Sequence, residues 1–377
     1  LLFVLIIFLF PVSGGAATVD ELEKRVDELE NEVMIAQEAG ETVNNMVAVS
    51  GYVDMEYTTT DEKGKEDGFR MHHLSIFLKK QLTEKLRFFS EIEFEDAVLF
   101  EFSQKTVTDK DGKDQKVLTH SKGDAAGGKI FAEAINADYL LMPQLNIRIG
   151  RFFTPAGIWS VDHYPPFVAT QERPLHIRKI FPQLVDGAMI YGTQGLGNTN
   201  IFLKYDLYFG NGEGNSGKKD LNGDKAIGLK TSLLLPFLNH LEIGGTYYAD
   251  TLNSGNSVNS YGFHSKVRAF GFTWQSEYAL GAVDPAGTGA FDRTGFYSQL
   301  LYDWREFSVG YRYDYYESDD SKKETGSVRN SYILNYRISH EAVIKFEHHQ
   351  LRPELPLDAA KPQVRKTTIS LVLSLGN

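Results

Sequence analysis

Cysteine is absent from all 377 residues. That excludes disulfides, thiolate metal sites and c-type haem attachment within the chain, and it is compatible with an oxidising periplasm. Long apolar runs are missing too. Beyond residue 10 nothing approaches the ~18 residues of a membrane-spanning helix. Hydrophobic residues make up 42% of the chain and mean hydropathy is negative, which excludes a helical membrane protein. It does not exclude a β-barrel, because only alternate barrel residues meet lipid. Basic residues are in deficit, 39 Lys and Arg against 50 Asp and Glu, for a net charge of -11. A balance of that sign argues against nucleic acid as a partner. Aromatics, by contrast, are plentiful, with 19 Tyr and 25 Phe.

The chain divides into three parts. Leu1–Phe10 is wholly apolar and runs into Pro11-Val12-Ser13-Gly14-Gly15-Ala16-Ala17. An apolar core ending in small residues reads as a secretory signal over 1–17 with a truncated basic region. Ten residues are too few for an anchor helix. From 18 to 46, Val19, Leu22, Val26, Leu29, Val33 and Ala36 recur at spacings of three and four among Glu and Lys. That pattern fits a short periplasmic helix, either self-associating as a coiled coil or lying as a solvated amphipathic helix on the next domain.

From Val47 the period becomes two. Val49, Val53, Met55 and Tyr57 alternate with Ser50, Asp54, Glu56 and Thr58. Phe307, Val309, Tyr311, Tyr313 and Tyr315 do the same around Arg312 and Asp314, as do Ile369, Leu371, Leu373 and Leu375 around Thr368 and Ser370. Segments of about ten residues with one apolar and one charged face suit tilted strands crossing a membrane. Tight turns near Leu82–Lys85, Met142–Gln144, Arg305–Glu306 and Ser339–Glu341 alternate with longer polar gaps such as Thr59–Gly68, Ser103–Gly128 and Leu351–Pro362. The expectation is an all-β fold, a transmembrane antiparallel barrel of about sixteen strands over 47–377. Aromatics at segment ends, among them Tyr208, Phe209, Tyr248, Trp274, Tyr302 and Trp304, suit the two membrane interfaces.

One gap differs in kind. After Arg151-Phe152-Phe153-Thr154-Pro155-Ala156-Gly157 some thirty residues, about 154–185, follow neither period. They carry Arg173, His176, Arg178 and Lys179 and prolines at 155, 165, 166, 174 and 182. A loop this long inside a compact protein is usually functional, since ordering it costs entropy that something must recover. It is expected to fold into the lumen and narrow a pore.

Other motifs fail on context. Gly212-Glu213-Gly214-Asn215-Ser216-Gly217 has the letters of a dinucleotide loop but leads into no helix. Asp220-Leu221-Asn222-Gly223-Asp224 starts like a calcium loop without its closing Glu. His72-His73 and His348-His349 are adjacent, and strand neighbours point to opposite faces, so they are expected to be poor joint metal ligands. No catalytic constellation has local support, and neither an enzyme nor a cofactor is expected. Two charge groups remain. Glu91, Glu93 and Glu95 share one strand face and form an acidic lumen wall. Against them stand Arg148 and the basic loop residues, with Lys230, Lys266, Arg312 and Arg329 farther round. The pair reads either as a transverse field giving ion discrimination or as a solvated wall of mixed charge.

The order of signal segment, heptad helix, alternating strands and Arg151-Phe152-Phe153-Thr154-Pro155-Ala156-Gly157 before a long loop resembles the phosphate-selective porin O/P family. The resemblance implies a trimeric sixteen-stranded channel in the outer membrane of a Gram-negative bacterium, in contact with its lipid, with an inward third loop that passes small anions or polar solutes. Carried over, it places Arg151 in the strand-end motif and makes Arg173, Arg178 and Lys179 candidate constriction residues; with Arg148 and His176 from the residue pattern they form the candidate anion path. Two features depart from the family. Leu371–Asn377 lacks the usual terminal aromatic, and lumen acids such as Asp54, Glu56, Asp138, Asp206 and Glu242 dilute the basic ladder. The expectation is therefore a porin with a mild anion bias. A barrel that sheathes or anchors a periplasmic or electron-transfer partner is the alternative.

Overall fold

The computed structural model describes residues 46–96, 101–108, 113–121, 128–212, 222–236, 241–252, 255–285, 289–323, 325–353 and 363–376. The signal segment, the heptad helix and the glycine-rich and calcium-like stretches over 213–221 lie outside the described residues.

Among the described residues eighteen strands follow one another. They are β1 (Ala48–Thr60), β2 (Gly68–Gln81), β3 (Leu86–Glu95), β4 (Glu101–Thr108), β5 (Asp114–Ser121) and β6 (Lys129–Met142). Then come β7 (Leu145–Phe153), β8 (Leu184–Gly195), β9 (Phe202–Asn211), β10 (Lys225–Leu235), β11 (Leu241–Thr251) and β12 (Ser257–Ala269). The last are β13 (Phe272–Asp284), β14 (Phe291–Trp304), β15 (Phe307–Glu317), β16 (Gly326–Arg337), β17 (Ala342–Pro353) and β18 (Val364–Leu375). Sixteen of them close into an antiparallel barrel in which β1 pairs with both β2 and β18, while β4 and β5 make a separate two-stranded ribbon. Closure satisfies every ladder internally, a condition any structure crossing hydrocarbon must meet.

The barrel is the one the alternation predicts, with short turns at one end and long connections at the other. One polar gap differs. Over Glu101–Ser121, overlapping the gap expected at Ser103–Gly128, the chain makes the β4–β5 ribbon, and β3 pairs directly with β6.

Burial is inverted relative to a water-soluble domain. Val49, Met55, Ile149, Leu207, Phe209, Phe263, Val309 and Ile369 are exposed, whereas Asp54, Glu91, Glu133, Asp138, Arg312, Asp314 and Glu347 are buried. The apolar face therefore points outward and the charged face inward, as the membrane requires. Of the aromatics at strand ends, Phe209, Tyr247, Trp274, Tyr302 and Trp304 lie outside. Tyr208, Tyr248 and Tyr316 turn inward, where with Phe152, Ile180, Phe181, Val185 and Met189 they build a small apolar core within the lumen.

Three register shifts break the two-residue period among the described residues; one lies at the end of β6, between Leu140 and Met142, and two are bulges deeper in the wall. Between Asp54 and Met55 the β1–β2 register skips His72. Between Glu91 and Ile92 the β3–β6 register skips Glu133. A bulge adds a residue to one strand and re-aims its side chain, and both bulges change what lines the lumen.

Candidate functional site

The segment between β7 and β8 leaves the wall at Thr154 and crosses the bore. Its main chain is held by side chains of the barrel, since an irregular backbone inside a protein must find partners. The Gly157 and Trp159 amides donate to Thr246 Oγ1 at 3.2 Å and Glu277 Oε1 at 2.8 Å. The Gln171 and Leu175 amides donate to Glu347 Oε1 at 2.5 Å and Asp314 Oδ1 at 3.3 Å. Lys345 Nζ donates to the Pro165 and Val168 carbonyls at 2.5 and 2.6 Å, and Ser260 Oγ to the Ile180 carbonyl at 3.0 Å. On the other side the Tyr164 hydroxyl donates to Glu91 Oε2 at 3.3 Å and Gln183 Nε2 to Glu133 Oε1 at 2.6 Å. β3, which carries Glu91, and β13, which carries Glu277, are diametrically placed in the sixteen-strand ring. The segment therefore spans the bore and does not merely line one side.

Glycines make room for it. A Cβ on Gly295 of β14 would lie 2.1 Å from His176 Cβ. Gly157 has φ +58°, and a Cβ there would meet Glu277 Oε2 at 1.7 Å. Glu277 cannot swing aside easily, because it is buried and accepts from both Trp159 and the Tyr297 hydroxyl.

The stretch Thr170–Arg173 is bound by a dense ion network. Arg312, fully buried, donates to Asp314 at 3.0 Å, to the Thr170 hydroxyl at 2.5 Å and to the Glu172 carbonyl at 2.8 Å. Its guanidinium also stacks 5.4 Å from the Trp159 ring. Arg329 bridges Asp314 and Glu172 at 3.2 and 3.3 Å and donates to the Arg173 carbonyl. Lys366 pairs with Glu172. Burial alone would raise the Glu172 carboxyl, but Lys366 and Arg329 outweigh it and hold the group well below the usual carboxylate range.

The basic residues picked out by the sequence separate into distinct places. Arg173 and Arg178 stay together, with Phe153, His163 and Gln183 around them. Arg178 has φ +64° and reaches Glu133 at 3.5 Å. Burial, with Arg173 beside it, lowers the Arg178 guanidinium to about 10 despite Glu133. Arg173 has no carboxylate within ion-pair reach among the described residues. Lys179 lies 4.4 Å over the Tyr316 ring, and burial and Arg329 lower its ammonium. His176 is 3% exposed and stacked 5.9 Å from Tyr297; burial depresses it, so it is a neutral packing group. Arg148 pairs with Asp138 at 2.6 and 3.0 Å on the β6–β7 wall. Arg151 sits opposite the exposed Ile135, on the face shared with Ile149, and is bidentate to Asp186 at 2.6 and 2.8 Å. It faces out of the bore and does not join the others.

The acidic wall holds more than the sequence pattern showed. Glu91 and Glu93 are buried, whereas Glu95 lies at its rim, 3.9 Å from Arg70. The β6 bulge turns Glu133 in beside Glu91 and Glu93, and ligand atoms of all three lie within 4.8 Å of one another. Glu91 Oε1, Glu133 Oε2 and both ring nitrogens of His163 are buried without a hydrogen-bond partner. Glu133, Tyr164, Glu172, Lys345 and Glu347 all hold the crossing segment, and none was singled out from the sequence. A cavity of about 510 Å3 remains between Trp159, Asp162 and Phe167 of the segment and Lys266, Gln299 and Arg337 of the wall.

No protein-family profile matches the chain. An uncharacterized protein of Aquifex aeolicus (strain VF5) is 26% identical over 172 residues, which is 45% of this chain and 33% of that protein. The match thus spans about a third of the relative's length. Among solved structures, an anion-selective porin from Comamonas acidovorans superposes with a TM-score of 0.62 at 12% identity, over 87% of this chain and 99% of the porin. OmpF of Salmonella typhi, in complex with daunomycin, gives 0.60 at 11% identity, over 89% and 99%. OmpT of Vibrio cholerae in its trimer form gives 0.55 at 10% identity, over 87% and 99%. These likenesses fix the fold as that of porin-type barrels in general, and none singles out the phosphate-selective family. With an apolar outer face and a charged lumen, the chain folds as a membrane-spanning β-barrel of porin-type architecture.

Proposed function

We propose that the protein is a passive diffusion channel for small hydrophilic solutes and ions, with a mild bias towards anions such as phosphate-like oxyanions, working as a homotrimer. The observation that carries this reading is the β7–β8 segment fixed across the bore. It acts as the constriction and leaves the Arg173 cation without a carboxylate partner among the described residues, next to Arg178. The neighbouring barrels include one described as an anion-selective porin and one described as a trimer, which agrees with both parts of the reading.

Reversal potentials across planar bilayers in a salt gradient test it. A unit charge ~4 Å from an ion in watery surroundings is worth about 1 kcal/mol, or about fivefold in partition. Wild type is expected to favour anions, and Arg173→Ala to lower the anion-to-cation permeability ratio by up to about that factor. A cation preference unchanged by Arg173→Ala and Arg178→Ala contradicts the anion bias. The number of strands that hold the segment favours a second reading, a closed barrel that sheathes or anchors a partner. That reading predicts no conductance steps at all.

A further inference from the structure

The bulge in β2 makes something the sequence argued against. Adjacent strand residues should point to opposite faces, yet His72 and His73 both turn towards Asp54, with their rings stacked 3.6 Å apart. His73 Nδ1 lies 2.9 Å from Asp54 Oδ1. His72 Nδ1 lies 3.4 Å from Asp54 Oδ2 and 3.4 Å from Glu56 Oε2. We propose that Asp54, His72 and His73 form a binding site for a divalent transition ion of the zinc class in the lumen wall, with Glu56 as a further oxygen ligand.

At His72 the spacing suits an ion better than it suits hydrogen bonds, whereas His73 Nδ1 is within hydrogen-bond reach of Asp54. Zinc holds imidazole nitrogen and carboxylate oxygen at ~2.0–2.2 Å, so neighbouring corners of its tetrahedron are about 3.4 Å apart. His72 Nδ1 stands at that separation from two carboxylate oxygens. It is also a buried nitrogen without a hydrogen-bond partner. One ligand atom from each of Asp54, His72 and His73 falls within 4.8 Å of the others. Two imidazoles with carboxylates suit zinc, copper or nickel, whereas calcium and magnesium prefer an all-oxygen shell.

Outer groups are in place as well. Glu93 Oε1 lies 4.0 Å from His73 Nε2, on the far side of the ring. Gln171 of the crossing segment donates to Asp54 Oδ2 at 3.0 Å. Partners of this kind orient ligating side chains. Because Gln171 belongs to the segment, a bound ion would stiffen the segment where it meets β1.

The test is calorimetric titration of Zn2+ into the folded, tag-free, chelator-stripped barrel, with heat-shifted gel mobility as the check on folding. One saturable site per chain is expected. It should be lost in His72→Ala/His73→Ala, retained in His348→Ala, displaced by Cu2+ and indifferent to excess Mg2+. X-ray absorption of the zinc-loaded wild type keeps the proposal testable if the double variant does not fold, and two nitrogen ligands at ~2.0 Å are expected. No saturable binding, full binding in the double variant, or an oxygen-only shell overturns the site.

Discussion

The wall formed by β15–β18 and the wall formed by β1–β3 and β6 are both buried, charged and in contact with the same crossing segment, yet they are built differently. On the first, each charge facing the segment has a partner. Arg312 and Arg329 share Asp314, Glu172 is held by Arg329 and Lys366, and Lys345 caps two carbonyls. On the second, Glu91, Glu93 and Glu133 crowd together, and Glu91 Oε1, Glu133 Oε2 and His72 Nδ1 lack hydrogen bonds. A saturated network holds a segment in place, because removing any member strands another charge. An unsaturated one has capacity left for something mobile, whether ions, solute or water. On the proposed channel reading, the first wall is the stronger tether and the second the surface that permeating ions meet.

The largest expected effect breaks the tether. Arg312→Met leaves Asp314 short of a partner and frees Thr170 and the Glu172 carbonyl, at a cost of about 3–5 kcal/mol by the behaviour of broken buried pairs. Denaturant unfolding in lipid vesicles measures the loss, which should come with a larger and noisier single-channel conductance. Glu91→Gln on the other wall breaks no ion pair and keeps an acceptor for the Tyr164 hydroxyl, so it should cost little by the same measurement. Equal losses at the two positions would erase the contrast.

A smaller effect follows from pH. His176 faces Glu277, Asp314, Lys179 and Arg312, and burial outweighs the two carboxylates to depress it. A depressed histidine binds fewer protons folded than unfolded, so its contribution is complete above ~6.5 and declines as pH falls below that value. The decline is at most about 1.4 kcal/mol per pH unit. Unfolding measured from pH 7.5 to 5.5 should lose stability on the acid side, and His176→Phe should flatten the slope. Glu172 adds nothing in this window, since the contribution of its depressed carboxyl begins to fall only below the ordinary glutamate pKa of ~4.3.

The sequence disclosed the barrel because a period of two, repeated over many strands, leaves few alternatives, and lipid outside with water inside enforces it. The crossing segment was visible for the opposite reason: its thirty residues obey no period. The pairings were not visible. Arg312 and Thr170 are 142 residues apart, and Tyr164 and Glu91 are 73 apart, so no local pattern could join them. Bulges hid the rest. One extra residue turns His72 and Glu133 into the lumen against the simple alternation. Arg151, read as part of the basic path, shows the converse: on the plain alternation it faces outward with Ile149.

Because the chain has no cysteine, one introduced thiol reports directly on where the crossing segment lies. Ala169 is 8% exposed beneath the β16 wall, where Asn335 donates to its carbonyl at 3.0 Å, whereas Phe167, two residues away, is 81% exposed to the lumen cavity. A small maleimide added to the folded barrel should label Phe167→Cys rapidly and leave Ala169→Cys unmodified until the protein is denatured. Equal, rapid labelling at both positions would mean that the segment is not held against the wall, and the account of a fixed constriction would fail.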